Sequence, residues 1–322
     1  MSNDWVSAIL AWGQQAIDGE PIEVDRLGRE QLFVAIEESL NAKERPADVE
    51  LKGIRSSVIS PFISVPLSGG LDSLVAYERA VDENLFVAPF YVALNTPYRE
   101  AEEHALSQLR IKHTRIDFSI WPERWEPYKT GWKHILPLRN LLIIMSIAQL
   151  QSNVPTRIWL GATEGEIPIT GGDKSQKFFR AVESLLNVLP TRHEIEFPLR
   201  HETKSDIVTG WIKSGKDPKR LLLTITCQDP QGGVACGACH ACFNRWVALL
   251  NNGLDEPLVY NPLGVPANQL KVQQFEHALS EGNFDTWSER RILQTLYAWY
   301  SANKSTRLAQ VADQLGKQVD LG

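Results

Sequence analysis

The sequence predicts an α/β fold: a parallel sheet covered by helices on both faces, followed by a four-cysteine segment, with helical extensions at both ends. Three observations carry this. Between positions 58 and 226, apolar β-branched runs alternate with apolar residues at helical spacing, the pattern of strands joined by helical crossovers. A glycine-bearing turn, Ser68-Gly69-Gly70-Leu71-Asp72-Ser73, lies where the first of those runs gives way to a helix. All four cysteines of the chain fall between positions 227 and 242.

Taken in order, residues 1–57 read as a helical N-terminal extension. Val6, Ile9, Leu10 and Trp12, then Leu32, Phe33, Ile36 and Leu40, recur at helical spacing, and Asp25 is placed to cap the second helix. A catalytic domain follows over 58–226. Its first strand runs from Val58 to Leu67, with Pro61 and Pro66 marking its ends, and a helix follows from Leu74. A second strand over Leu85–Leu94, a helix over Ala101–Leu109 and a third strand over Thr114–Phe118 come next. Leu138–Leu150 reads as an apolar helix, Arg157–Gly161 as a short buried strand, and another helical run sets in at Phe178. The cysteine segment occupies 227–260, and 261–322 reads as a helical C-terminal extension. Residues 215–218 and 229–233 read as loops.

Composition narrows the function classes. The chain has 322 residues, 43% hydrophobic and 22% charged, with a net charge of -6. That is ordinary for a globular protein with a sizeable core, and it gives no electrostatic support to nucleic acid as a partner. No run approaches the roughly 18 apolar residues of a membrane span; the longest candidate is 141–148. Met1 to Trp5 lacks a basic region leading into an apolar run, so no signal peptide is expected. The expected location is the cytoplasm, where thiols stay reduced and clustered cysteines indicate metal or catalysis.

The turn at 68–73 has the makings of a phosphate loop. Its glycines let the backbone turn sharply and approach a ligand closely. Successive N–H groups then face one anion beside the positive end of a helix. Ser68 and Ser73 add hydroxyl donors, and the Asp72 carboxylate suits Mg²⁺. It is not a Walker A loop, because no lysine follows the glycines. Residues 172–175, Gly-Asp-Lys-Ser, have the wrong spacing for one as well. Cations for the phosphates must come from elsewhere, with Arg139, Lys174 and Lys204 as the candidates. The six-residue string after an apolar strand resembles the PP-loop ATP pyrophosphatase superfamily, whose members cleave ATP between the α- and β-phosphates to form adenylates.

Cys227, Cys236, Cys239 and Cys242 form C-x8-C-x2-C-x2-C. Four thiolates at such spacings close a tetrahedron around Zn²⁺ and leave no open position, so the metal is expected to be structural. An iron–sulfur cluster and redox-active thiols are the competing readings of the same sulfurs. His240, inside the knuckle, is not expected to be a ligand.

Taken together, loop and cysteine pattern resemble the 7-cyano-7-deazaguanine synthase family, known as QueC, over roughly residues 60–250. The resemblance includes Pro137-Leu138-Arg139-Asn140 opening an apolar helix, Ile158-Trp159-Leu160-Gly161-Ala162, and Asp173 in a loop before the helix at Phe178. It includes Glu196-Phe197-Pro198-Leu199 as a strand, Thr203-Lys204 opening the next helix, and Arg245 after the last cysteine. It implies ATP-dependent conversion of a 7-carboxy-7-deazaguanine to its nitrile with ammonia, using ATP, Mg²⁺ and Zn²⁺. Residues 68–73 then hold pyrophosphate, and Arg139 and Asn140 lie near the reacting centre. Lys204 neutralises phosphate charge, and Asp173, with Lys174 beside it, meets the guanine-like edge.

The chain departs from the family in two places. Where the family carries Tyr-Gly-Gln-Arg/Lys-His after its second strand, this chain reads Leu94-Asn95-Thr96-Pro97-Tyr98-Arg99-Glu100. It also adds long segments before the first strand and after the cysteines. Some QueC-like relatives belong to bacterial antiphage operons. By that resemblance, the expected reaction here is amide formation between the deazaguanine carboxylate and an amine of a partner protein, with nitrile synthesis as the alternative. A second copy of the chain is a further expected partner; a membrane is not.

Overall fold

The structure, a computed structural model, describes residues 62–266 apart from 84, 95, 97, 119–138, 152, 164–175 and 187–191. The expected N-terminal extension, most of the C-terminal one, and the site residues Asp173 and Lys174 lie outside the described residues. Of 261–322 only the first six residues are described, with a 3-10 turn at Pro262–Gly264.

Five strands form one sheet in the order β3-β2-β1-β4-β5, every pair parallel. They are β1 (Phe62–Pro66), β2 (Phe86–Leu94), β3 (Thr114–Phe118), β4 (Thr156–Trp159) and β5 (His193–Glu196). The crossovers carry α1 (Leu71–Asp82), α2 (Arg99–Leu109), α3 (Arg139–Leu150) and α4 (Gln176–Leu186). After β5 come α5 (Lys204–Lys213), the single turn α6 (Lys219–Leu222) and α7 (His240–Leu250).

β1 is central, and Ile63, Ser64 and Val65 are all fully buried. A strand covered on both faces reads as a continuous apolar run rather than an alternating one. One core joins Ile63 and Val65 to Leu71, Leu74 and Ala76 of α1, Ile207, Val208 and Trp211 of α5, and Ala248 and Leu249 of α7. Each large aliphatic side chain buried here contributes about 1.5–3 kcal/mol. The helix that ends the cysteine segment is thus built into the same core as the central strand.

Several element ends differ from the sequence expectation, each for a local reason. α1 begins at Leu71 rather than Leu74, because Asp72 suits a first turn and the Ser73 hydroxyl donates back to the Gly70 carbonyl at 3.0 Å. β4 ends at Trp159, not Gly161. The strand expected over Glu196–Leu199 is instead His193–Glu196. Pro198 has no N–H for a ladder, and the Arg200 N–H closes a turn onto the Phe197 carbonyl at 3.3 Å.

Candidate functional site

Strand order reverses between β1 and β4. In an open parallel sheet, the loops after such strands part and leave a crevice at the carboxyl edge, the usual place for a ligand. Residues 68–73 follow β1 into that crevice, and residues 160–163 follow β4.

The loop is folded as a close-packed turn. Gly69 has φ +68, and a Cβ there would lie 2.9 Å from the Glu102 carbonyl oxygen. Glycine is the residue that meets both demands. The Ser68 N–H donates to Ser73 Oγ at 3.3 Å, and the two hydroxyls are also 3.3 Å apart. Gly70 is the N-cap of α1 and supplies no side chain to satisfy the first turn. The N–H groups of that turn therefore stay aimed at the crevice. On the far side, a Cβ at Gly161 would sit 2.7 Å from the Asp72 carbonyl carbon and oxygen and 2.9 Å from the Ser73 nitrogen. The loop after β4 therefore lies directly on the loop after β1.

Two of the expected site residues meet. Thr203 caps α5 through a capping box: its hydroxyl accepts from the Asp206 N–H at 2.9 Å, and Asp206 Oδ2 accepts from the Thr203 N–H at 2.8 Å. This sets Lys204 as the first helical residue, buried at 4% exposure. Its Nζ donates to Asp72 Oδ2 in a charge-assisted pair. Lys204 is therefore not a solvated surface lysine.

Arg139 sits in a buried polar group under the other flank of the loop. Its guanidinium donates to Glu102 Oε1 at 2.6 Å and lies 5.3 Å from the centre of the Tyr98 ring. Glu102, in the first turn of α2, is the residue whose carbonyl backs Gly69. Tyr91 Oη donates to Glu102 Oε2 at 3.4 Å. Burial pushes the Glu102 carboxyl up, against the pull of Arg139, and raises Tyr98 as well. Asn140 follows Arg139, half-buried, in the first turn of α3.

Residues 221–227 run from α6 to the first cysteine alongside the loop. The Ile225 N–H donates to the Gly69 carbonyl at 2.8 Å, and Thr226 Oγ1 lies 3.7 Å from the Cβ position of Gly70. That hydroxyl is buried and has no hydrogen-bond partner among the described residues. Arg245 of α7, 1% exposed, donates to Glu256 Oε2 at 2.7 Å, to the Leu221 carbonyl at 2.9 Å and to Thr224 Oγ1.

The sulfurs of Cys227, Cys236, Cys239 and Cys242 all lie within 4.8 Å of one another, and those of Cys236 and Cys242 are 3.9 Å apart. A zinc ion with four bonds of about 2.3 Å needs sulfurs roughly 3.8 Å apart. Backbone N–H groups of Asp229 and Cys236 point at Cys227 Sγ at 3.3 and 3.2 Å, and that of Ala238 at Cys236 Sγ at 3.3 Å. Such donors suit thiolates. Hydrogen bonds from Cys227 first and Cys242 second hold the Cys239 thiol far below its usual value, while its pairing with Cys239 pushes Cys227 up to about 12. A Cβ at Gly237, φ +76, would lie 2.0 Å from the Tyr260 carbonyl oxygen, so residues 258–260 close over the knuckle.

Residues 122–253 match the family model described as queuosine biosynthesis protein QueC. Over those residues the chain is similar to the QueC family. It is 26% identical over 219 residues to the 7-cyano-7-deazaguanine synthase of Pseudoalteromonas atlantica, covering 62% of this chain and 98% of that protein. It is 26% identical over 246 residues to the Archaeoglobus fulgidus protein of the same name, covering 68% and 98%. For that of Methanopyrus kandleri it is 27% over 229 residues, covering 60% and 96%.

Around the loop the structure adds residues that the sequence left without a role. Gly161 had a signal, a glycine directly after a buried strand. Arg245 had one too, a lone cation on the apolar helix after the last cysteine. Glu102 and Thr226 carried none, because only the fold brings them to the loop.

Proposed function

We propose that the chain adenylates a 7-carboxy-7-deazaguanine with ATP and joins the activated acyl group to an amine, supplied by a partner protein. The observation that supports the first half is the loop at 68–73, seated at the switch point of the sheet to which β4 and β5, within the matched residues 122–253, also belong. A substrate carboxylate oxygen attacks the α-phosphorus, the bond to the β-phosphate oxygen breaks, and pyrophosphate leaves. The amine nitrogen then attacks the acyl carbon, the bond to AMP breaks, and the nitrogen gives up a proton.

In this reading the first-turn N–H groups of α1 and the hydroxyls of Ser68 and Ser73 receive the departing phosphates. Donors fixed before the charge develops stabilise it without reorganisation. The Asp72 carboxylate suits Mg²⁺, and Lys204 is held close enough to follow the phosphate charge. Arg139 and Asn140 open α3 beside the reacting centre, and Asp173 and Lys174 are assigned to the base by the family resemblance alone. Zinc at the four cysteines holds the segment and takes no part in the chemistry.

The protein acceptor rests on the departures. The Pseudoalteromonas atlantica relative is covered over 98% of its length by only 62% of this chain. The remainder is available to hold a partner in an antiphage setting. The loop at 94–100 also lacks the family's Gly-Gln pair. The relatives' own name favours a second reading, in which ammonia is the amine and a second ATP removes the amide oxygen to give the nitrile.

Mass spectrometry separates the readings. The purified chain is incubated with ATP, Mg²⁺, 7-carboxy-7-deazaguanine and ammonium. AMP together with free nitrile establishes the synthase and overturns the protein ligase. AMP or the acyl adenylate without nitrile supports the ligase. No consumption of the acid overturns both.

A further inference from the structure

We infer that residues 221–227 form a strap through which the cysteine centre sets the phosphate loop. Arg245 is its positioning residue, and metal at the cysteines and ATP at the loop therefore bind cooperatively. The inference rests on reading 68–73 as an ATP loop.

The strap belongs to no strand and has no ladder to fix it. It touches the loop through the Ile225 N–H on the Gly69 carbonyl and the Thr226 hydroxyl beside Gly70. It is held at two places. Arg245 grips the Leu221 carbonyl and Thr224 Oγ1, and is itself oriented by Glu256. At the other end, Cys227 follows Thr226 directly, and its sulfur is joined to the Cys236 N–H.

The physical consequence is a linkage. Gly69 cannot shift toward α2, because Glu102 and Ala105 already crowd it. Its carbonyl is held from the open side by the Ile225 N–H. When the four sulfurs are drawn onto one ion, the C-terminal end of the strap is fixed one residue from Thr226. Without the ion that end relaxes, and the loop loses its brace. Whatever metal does for ATP affinity, ATP must do for metal affinity by the same factor.

The test uses the full zinc-loaded chain. Zinc release to an excess of a chromophoric chelator is timed with and without saturating ATP, with Mg²⁺ in excess in both. ATP binding is measured separately by calorimetry. The expected result is that ATP slows zinc release by about 5-fold or more. In Arg245→Lys, one amine replaces the three-way fork. That variant should keep its zinc, bind ATP about 5-fold or more weakly, and release zinc at a rate that ATP no longer changes. A merely structural arginine would lower stability without removing the ATP dependence of zinc release. Equal release with and without ATP, in a chain that binds ATP, overturns the strap alone. A zinc-loaded chain that binds no ATP overturns both the strap and the reading of the loop.

Discussion

Gly161 shows how one missing side chain decides a site. The backbone of Asp72 and Ser73 already occupies the space a Cβ would need, and backbone does not yield cheaply. Gly161→Ala should weaken ATP binding by about 10-fold or more, the cost of modest overpacking. Calorimetry measures the loss, and an unchanged far-ultraviolet circular dichroism spectrum shows that the fold survives. Glu183 of α4 makes a second prediction. Burial first and the Glu194 charge second push its carboxyl up to about 7. The folded chain thus holds a proton that the unfolded chain releases near 4.5. Stability contributed by the neutral form is full below that value, falls as pH rises toward about 7, and then levels. Glu183→Gln should abolish this slope and stabilise the protein by about 1–2 kcal/mol at pH 8, after allowance for partial exposure. Thermal unfolding across pH 4.5 to 8 reads it. The turn at 68–73 and the grouping of the four cysteines were legible in the sequence from local spacing, whereas the helix start at Lys204 came from the family resemblance. Glu102 and Thr226 were not legible, because their importance lies in what the fold sets beside them.

At the scale of elements, short-range chemistry explains most of what was legible. The Thr203-Lys204 pair marks a helix start because threonine caps it and leaves lysine to reach Asp72. Thr203→Ala should cost about 1 kcal/mol, read as a lowered midpoint in urea. It should also loosen the Lys204 pair, so that ATP affinity falls while Thr203→Ser retains both. The strand β3 matches its expected bounds, 114–118, because its alternation is undisturbed. β5 does not, because Pro198 stops the ladder that the string from Glu196 to Leu199 would otherwise prolong. The onset of α1 was hidden for the opposite reason: Leu71-Asp72-Ser73 reads as loop by composition, yet forms a first turn. Sheet order was not legible at all. Periodicity says that strands and helices alternate, but not that β4 turns back beside β1 to open the crevice.

At the scale of the molecule, the cysteine segment is part of the domain rather than an appendage. Ala248 and Leu249 of α7 share a core with Ile63 and Leu74. Structural zinc is worth on the order of 10 kcal/mol in small sites, so Cys236→Ser should lose the metal and lower the melting temperature together. Elemental analysis should find one zinc per chain in the parent and none in the variant. The order of synthesis gives this integration a meaning in time. The glycines at 69 and 70 leave the ribosome early, but the residues that brace them, Ile225, Thr226 and Arg245, follow more than 150 positions later. At roughly 5–20 residues per second, the nascent chain spends on the order of 10–30 s with that loop unbraced. The brace is complete only once Arg245, three residues past the last cysteine, has emerged.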